Sequence, residues 1–367
     1  MRFTAEKPAL DAALSFIAPF AIGNAIPIIT TIKIEASDRV SLSATDLDSH
    51  ICRTIGASVL KPGTVCVDAA LLRGIVNSAP DGAQIEFELH NERVKIRSGR
   101  VSATLGTLDH NDFPIRDLSK SFTHSFAIDP GQLRALFSRV SFAVGSDVRK
   151  HWLCGVHLSS RDGNLMAQAT DGHVLSRVLL AADLGTGMTT QPIIPSAAVQ
   201  FALKLAASSG PITVRTGEFL IGFDADDLVF SSKIIDGQFP DADRVIPKTS
   251  GDPIFLDKSA ALQSLTRFAR LVEKSNDKQR EVRIEFSGQS ASIEGALPTG
   301  DFSDSFDCTW SGDPIKECFN VTELAQAINS FDGDVIEFHG NRGGKPWLLR
   351  QAGSTDGSLV VVTTRFS

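Results

Sequence analysis

The chain has 367 residues, 42% of them apolar and 22% charged, and carries a net charge of −7. That length exceeds one ordinary core and suits three domains of about 120 residues. No apolar run approaches the ~20 residues that cross a bilayer. The opening MRFTAEKPAL lacks the basic-then-apolar layout of a secretory signal, so a cytoplasmic location is expected. The cysteines (Cys52, Cys66, Cys154, Cys308 and Cys318) are scattered, odd in number and never spaced as CxxC, and read as reduced core thiols. An acidic total argues against a phosphate-binding surface unless the charge is unevenly placed.

A weak pattern recurs three times. Phe3 leads to Leu10, Leu14 and Ile17; Phe126 to Leu133, Phe137 and Val140; Phe255 to Leu262 and Ala269, with Leu265 between. Offsets of 7, 11 and 14 match one buried stripe of a 3.6-residue helix. In chain order, the spacing predicts helices over 7–20 and 67–78, the second with Asp68 in its first turn. Alternating strands follow at Ile85, Phe87, Leu89 and at Val94, Ile96, joined by the turn His90-Asn91-Glu92-Arg93. A polar linker over 115–125 leads to a helix over 130–144, with Asp129 as N-cap and Pro130 at its first position. The turn Arg161-Asp162-Gly163-Asn164 marks another hairpin, followed by a helix over 195–207 and a strand holding Ile212 and Val214. After a second linker over 246–253 come a helix over 258–274, a strand with Val282, Ile284 and Phe286, a helix over 321–331 opened by Asn320 and Thr322, and a strand from Val335 to Phe338.

Two landmarks fix the repeat. Ala44-Thr45-Asp46 returns as Ala169-Thr170-Asp171, and Phe113-Pro114 as Phe239-Pro240, with Thr and Phe separated by 68 and 69 residues. The expected fold class is α+β, with three repeats over 1–120, 121–247 and 248–367, each two helices packed on an antiparallel sheet. Three such domains in series make a curved rod or part of a ring.

The charge is unevenly placed. The six expected helices carry Lys7, Arg73, Arg134, Arg139, Lys204, Lys258, Arg267, Arg270 and Lys274 against Asp11, Asp68, Glu273 and Glu323. Their balance is +5, which leaves −12 for the rest. Basic helices on an acidic protein suit a surface that attracts a phosphate backbone without reading bases. The loop Arg149-Lys150-His151-Trp152 pairs cations with an aromatic that suits the same role.

Thr170-Asp171-Gly172-His173 sets an acid beside a base, the basis of a hydrolase reading. Thr45-Asp46 repeats its first half without a histidine, so the Thr-Asp pair reads as structural, its carboxylate accepting loop N–H groups. Gly172-His173 occurs only in the second repeat, which favours a pocket role. GNRGGKP over 340–346 has the wrong spacing for a phosphate loop and reads as a hairpin turn. The histidines show no metal-ligand spacing; no metal and no cofactor are expected.

Together MRFTAEKPAL, SLSATDLDSHI (41–51), Ser98-Gly99-Arg100, Thr107-Leu108, Phe113-Pro114, ATDGHVL (169–175), SKIIDGQFPDADRVIPK (232–248) and VVVTTR (360–365) resemble one family over the whole chain: the bacterial sliding clamp, the beta subunit of DNA polymerase III. The resemblance implies the DNA clamp fold and a ring-forming head-to-tail homodimer that encircles duplex DNA and confers processivity without catalysis. It also implies a pocket for short Gln/Leu/Phe-type peptides of polymerase, clamp loader and repair proteins. Carried over, that pocket comprises Leu153, Thr170, Gly172, His173, Leu175, Pro240, Arg244, Val245, Val360, Val361, Val362 and Arg365. The DNA-facing set comprises Arg73, Arg134, Arg139, Arg149, Lys150, His151, Trp152, Lys204 and Arg267. Ala103 and Leu105 of one copy would face Leu271 and Val272 of the other. A clamp-like adaptor that is not loaded on DNA is the related alternative. The chain departs from the family at Val362-Thr363-Thr364-Arg365, where members usually carry Met-Pro-Met-Arg, at Asn24, often Arg, at Gln279, often aromatic or apolar, and at Ala103, often larger.

Overall fold

The computed structural model describes residues 1–23, 26–114, 121–184, 188–207, 210–249, 251–275, 280–297, 300–340, 345–354 and 357–364. It divides into two compact units, Met1–Pro130 with Ala207–Ile234 and Gly131–Ala206 with Ile235–Ser367. Each unit is built on one antiparallel sheet, so the strands of the expected middle repeat are shared between two sheets.

In the first unit thirteen strands run from His124–Ile128 at one edge to Ser58–Lys61 at the other. The middle repeat joins the first where Leu228–Lys233 pairs with Ser49–Ile55, Leu228 opposite Arg53 and Ser232 opposite Ser49. In the second unit twelve strands run from Ile193–Pro195 to Ile315–Asn320. There the seam pairs Val174–Ala181 with Leu359–Val362, Leu175 opposite Val361 and Arg177 opposite Leu359.

Six helices are described: α1 (Lys7–Ile17), α2 (Ala69–Ser78), α3 (Pro130–Ser141), α4 (Ser196–Leu205), α5 (Lys258–Ser275) and α6 (Val321–Asn329). Each start has a local cause. Asp68 caps α2 from outside, accepting from Leu71 N, rather than sitting in its first turn. Asn320 caps α6 by accepting from Thr322 N and Glu323 N. Proline stands at the start of α3, where its missing N–H has no intrahelical partner to lose. The stretch 7–20 ends its α-helix at Ile17 and continues as a 3₁₀ turn, Ala18–Phe20.

The repeated stripe holds in the first two copies: Leu10, Leu14, Ile17, Leu133, Phe137 and Val140 are all buried, while Phe3 and Phe126 lie in the strands before their helices. The third copy is shifted by one residue. Phe255 is 38% exposed, whereas Ile254, Ala261, Leu265 and Phe268 are buried, at the same offsets of 7, 11 and 14. Because successive strand residues face opposite sides, a slip of one swaps the buried and exposed sets. Phe268 then packs against Gly295, where an added Cβ would come within 2.2 Å of its Cζ.

Both expected hairpin turns form with the backbone in the left-handed region, at Asn91 (φ 40) and Glu92 (φ 61) and at Asp162 (φ 50) and Gly163 (φ 79), as two-residue turns between twisted strands require. Outer strands alternate buried and exposed residues, as in Glu281–Ser287. The seam strands of the second unit do not: Leu359–Val362 is buried throughout, as are the first five residues of Val174–Ala181. The segment Ile235–Ile246 covers their outer face, placing Phe239 and Ala242 in the core.

Candidate functional site: a groove at the sheet seam and a basic helical layer

The candidate groove begins with the Thr-Asp turn. Thr170 Oγ1 accepts from Gly172 N at 3.1 Å, and Asp171 Oδ1 accepts from His173 N at 2.7 Å and Val174 N at 2.8 Å. The first unit repeats this: Thr45 Oγ1 accepts from Leu47 N, and Asp46 Oδ1 from Asp48 N and Ser49 N. Leu47 (φ 76) stands in the left-handed conformation that Gly172 (φ 96) adopts in the second turn. The pair therefore folds a loop in both places, with one carboxylate oxygen committed to backbone N–H groups.

Beside this turn lies one apolar cluster. It joins Leu153, Leu175 and Val361 to Ile193, Phe239, Ala242, Leu348 and Leu359, with Trp152, Ile235 and Ile246 packed against it. Cross-strand register builds it, since Leu175 stands opposite Val361 and Val361 opposite Leu348. Of the pocket residues expected from sequence, Leu153, Leu175 and Val361 belong to this buried cluster. Gly172, His173, Pro240, Arg244 and Val245 remain exposed, and Thr170 is half-buried. Val360 and Val362 are buried but alternate to the opposite sheet face, Val362 opposite Trp347. The tail is tied to the turn by Thr363 N donating to His173 O at 3.0 Å. Arg365, Gln279 and Asn24 lie outside the described residues.

Sequence reasoning missed Ile193, Phe239, Ala242 and Ile246. The recurrence of Phe-Pro was the available signal for Phe239; the strand of Ile193 is three residues long, too short for periodicity. Trp152, expected on DNA, is instead half-buried against the groove cluster, with its ring edge-on to His151 at 5.1 Å. Gly237 (φ 132) crosses Trp152 so closely that an added Cβ would sit 3.1 Å from the indole's Cβ.

Next to the groove, sharing Phe239 and Ala242 with it, is a polar cleft of about 550 Å³ lined also by His157, Ser159, Arg161, Gln168 and Arg177. Arg177 Nη1 donates to Asp243 at 2.6 Å, and its Nε and Nη2 donate to Gln168 Oε1 at 3.1 and 3.0 Å. Gln168 Nε2 lies 3.1 Å from His157 Nδ1, and the His157 ring stacks on Phe239 at 4.8 Å. Burial pushes the His157 pKa down to about 4, helped by the Arg177 charge and opposed by a hydrogen bond with Gln191. Hydrogen bonds from Arg161 and Arg177 hold the Asp243 carboxyl below its ordinary range.

The helical cations divide. Arg73, Arg134 and Lys204 are exposed on α2, α3 and α4, and Arg134 Nη2 donates to Ala206 O at the end of α4 at 3.0 Å. Others are neutralised by acids distant in sequence: Lys7 by Asp81 at 2.8 Å, Arg139 by Asp332 and Arg267 by Asp304. Arg149 pairs with Asp147 at 2.9 Å, while Lys150 and His151 are exposed beside it. The helical excess counted from sequence is thus larger than the field these helices present. Leu105 and Val272 are packed within their own units, Ala103 is half-buried, and Leu271 is 41% exposed.

Models of the N-terminal, central and C-terminal domains of the DNA polymerase III beta subunit match residues 1–117, 127–241 and 243–365. The chain belongs to the DNA polymerase III beta subunit family. Among curated relatives it is 26% identical to the beta sliding clamp of Pseudomonas aeruginosa over 370 residues, covering 100% of both chains. The crystal structure of the Pseudomonas aeruginosa beta subunit superposes with a TM-score of 0.94 at 26% identity, again over 100% of each chain. A clamp from Bartonella birtlesii, solved bound to griselimycin, gives 0.93 at 27% identity over 100% of both. The α+β fold with antiparallel sheets expected from sequence is that of this family. Among the described residues no cluster of metal-ligating side chains occurs, and no helix is long and apolar enough to cross a membrane.

Proposed function

We propose that the chain is a sliding clamp: two copies close into a ring around duplex DNA, and the seam groove captures short peptides of polymerase and other replication proteins. The observation that carries the ring is a pair of half-open strands. Val101–Leu108 pairs with Arg93–Ser98 along its length, but only Thr107 and Leu108 have partners on the other side among the described residues. Gly300–Thr309 repeats this: among the described residues only Cys308 and Thr309 are paired on the second side, leaving 300–307 open there. Open edges template pairing with another chain, and one such edge in each terminal repeat suits head-to-tail closure. Leu271 is the exposed apolar side chain of α5 available to such a contact.

The exposed Arg73, Arg134, Lys150, His151 and Lys204 supply positive charge for loose phosphate contacts, which favour sliding over fixed binding. Processivity then arises from effective concentration, with no chemistry by the clamp. The mass in solution should be twice 39.3 kDa. After loading by a clamp loader and ATP, the protein should stay on nicked circular DNA and run off the same DNA once linearised. Equal loss from both would refute encirclement and favour an adaptor role.

A labelled Gln-Leu-Phe-type peptide should bind about tenfold or more weakly to a His173→Ala variant, as for a contact at the centre of a small interface. Fluorescence anisotropy reads this, and unchanged affinity would remove His173 from the groove's binding surface.

A further inference from the structure

The polar row beside the groove has a fixed assignment of donors and acceptors. A guanidinium only donates, so both bonds from Arg177 require the oxygen of Gln168 to face it. The Gln168 amide nitrogen must then face His157 and donate to its Nδ1, which leaves the ring's proton on Nε2. A proton on Nδ1 would set two donors against each other. Asp243 anchors the far end, held by Arg177 and by Arg161 at 2.9 Å. His157, Gln168 and Arg177 occupy neighbouring cross-strand positions, His157 opposite Gln168 and Gln168 opposite Arg177. All three are at most 7% exposed.

Such a row is an expensive way to fill buried space. Apolar side chains of similar volume would serve stability as well, whereas a fully bonded polar network permits one arrangement and penalises the rest. What this one selects is the path of the covering segment: Asp243 is tied to the sheet by ion pairs, and Phe239 is stacked on His157. That segment carries Pro240, Arg244 and Val245.

We propose that Gln168 and Arg177 are positioning residues for the partner groove, fixing 239–245 through a hydrogen-bond relay in which Arg177 donates on one side to Asp243 and on the other to Gln168, which donates to His157. The proposal rests on the groove being the peptide site. It makes the groove preformed, so a bound peptide need not order the segment.

The test uses Arg177→Lys, which keeps a cation near Asp243 but cannot fork, and the milder Asp243→Asn. Three quantities are read on the full chain: ¹⁵N shifts of His157, amide exchange over 239–245, and affinity for the labelled peptide. Wild type should show a single neutral Nε2–H form. Arg177→Lys should mix tautomers, and both variants should exchange at least tenfold faster in this segment alone and bind peptide about tenfold more weakly. Unchanged exchange in both variants and an unchanged His157 form in Arg177→Lys would overturn the relay. Faster exchange with unchanged peptide affinity would overturn the positioning role. Failure of the wild type to bind peptide would instead refute the groove assignment, while exchange still reports on the relay.

Discussion

Replacing Trp347 by alanine should destabilise the second unit by about 3–5 kcal/mol, the range for truncating a large buried aromatic. The side chain is fully buried, with Phe338, Phe319 and Phe286 ring centres at 4.7, 5.5 and 5.7 Å. It fills the place left by Gly340, where an added Cβ would come within 2.6 Å of the indole. Dense packing on every side prevents collapse, so the cavity remains and its cost is near the maximum. Trp347 also stands opposite Val362 on the strand whose other face carries Val361, so peptide affinity should fall with stability. Trp347→Phe should cost less than the alanine variant, because the remaining ring leaves a smaller cavity and the indole N–H has no partner among the described residues to lose. Chemical denaturation measures both, and an alanine variant within about 1 kcal/mol of wild type would contradict this packing.

The second large effect is pH dependence through His157. Its folded pKa lies at about 4 against an ordinary 6.5, chiefly because burial disfavours the imidazolium. Between these values the unfolded chain binds a proton that the folded chain refuses. Stability is therefore full above pH 6.5 and falls progressively as the pH drops toward about 4. A depression of this size amounts to about 3 kcal/mol at its full extent. His50, in the first unit, is also depressed by burial and by Lys33, so the wild-type curve alone does not isolate one histidine. The comparison with His157→Leu does. The variant starts less stable, since Gln168 loses its acceptor, and the gap to wild type should narrow by about 3 kcal/mol between pH 7 and pH 4. A gap that stays constant over that range would mean that His157 titrates normally.

Both predictions concern residues that sequence reading passed over. Trp347 drew no attention because it follows the GNRGGKP stretch, which competed for a functional reading. His157, Gln168 and Arg177 are scattered over three strands, and only register sets them side by side. The groove was partly legible. The Thr-Asp turn, recurring in two repeats with one hydrogen-bond pattern, carried enough local chemistry to be read as structural. Leu153, Leu175 and Val361 were found through family likeness. Val360 and Val362 came with them, because a run of valines carries no alternation to say which face each takes.

The cations show the same boundary from another side. Summing charge over helices treated Arg139, Arg267 and Lys7 as free, whereas their partners Asp332, Asp304 and Asp81 stand 193, 37 and 74 residues away in sequence. Trp152 looked like a base-stacking residue beside Arg149 and Lys150, yet it packs partly buried against the apolar cluster.

What the sequence by itself determined is what short-range physics governs. Helical stripes, capping residues, two-residue hairpin turns and repeated landmarks all depend on neighbours within a few positions, so three copies of one plan were visible without coordinates. The tertiary structure alone decided how strands of one repeat are divided between two sheets, that 235–246 covers the outer face of the seam strands, and which acids pair with Lys7, Arg139 and Arg267. Each depends on contacts between segments far apart in the chain, where a shift of one residue in register reverses every side chain and local pattern carries no information.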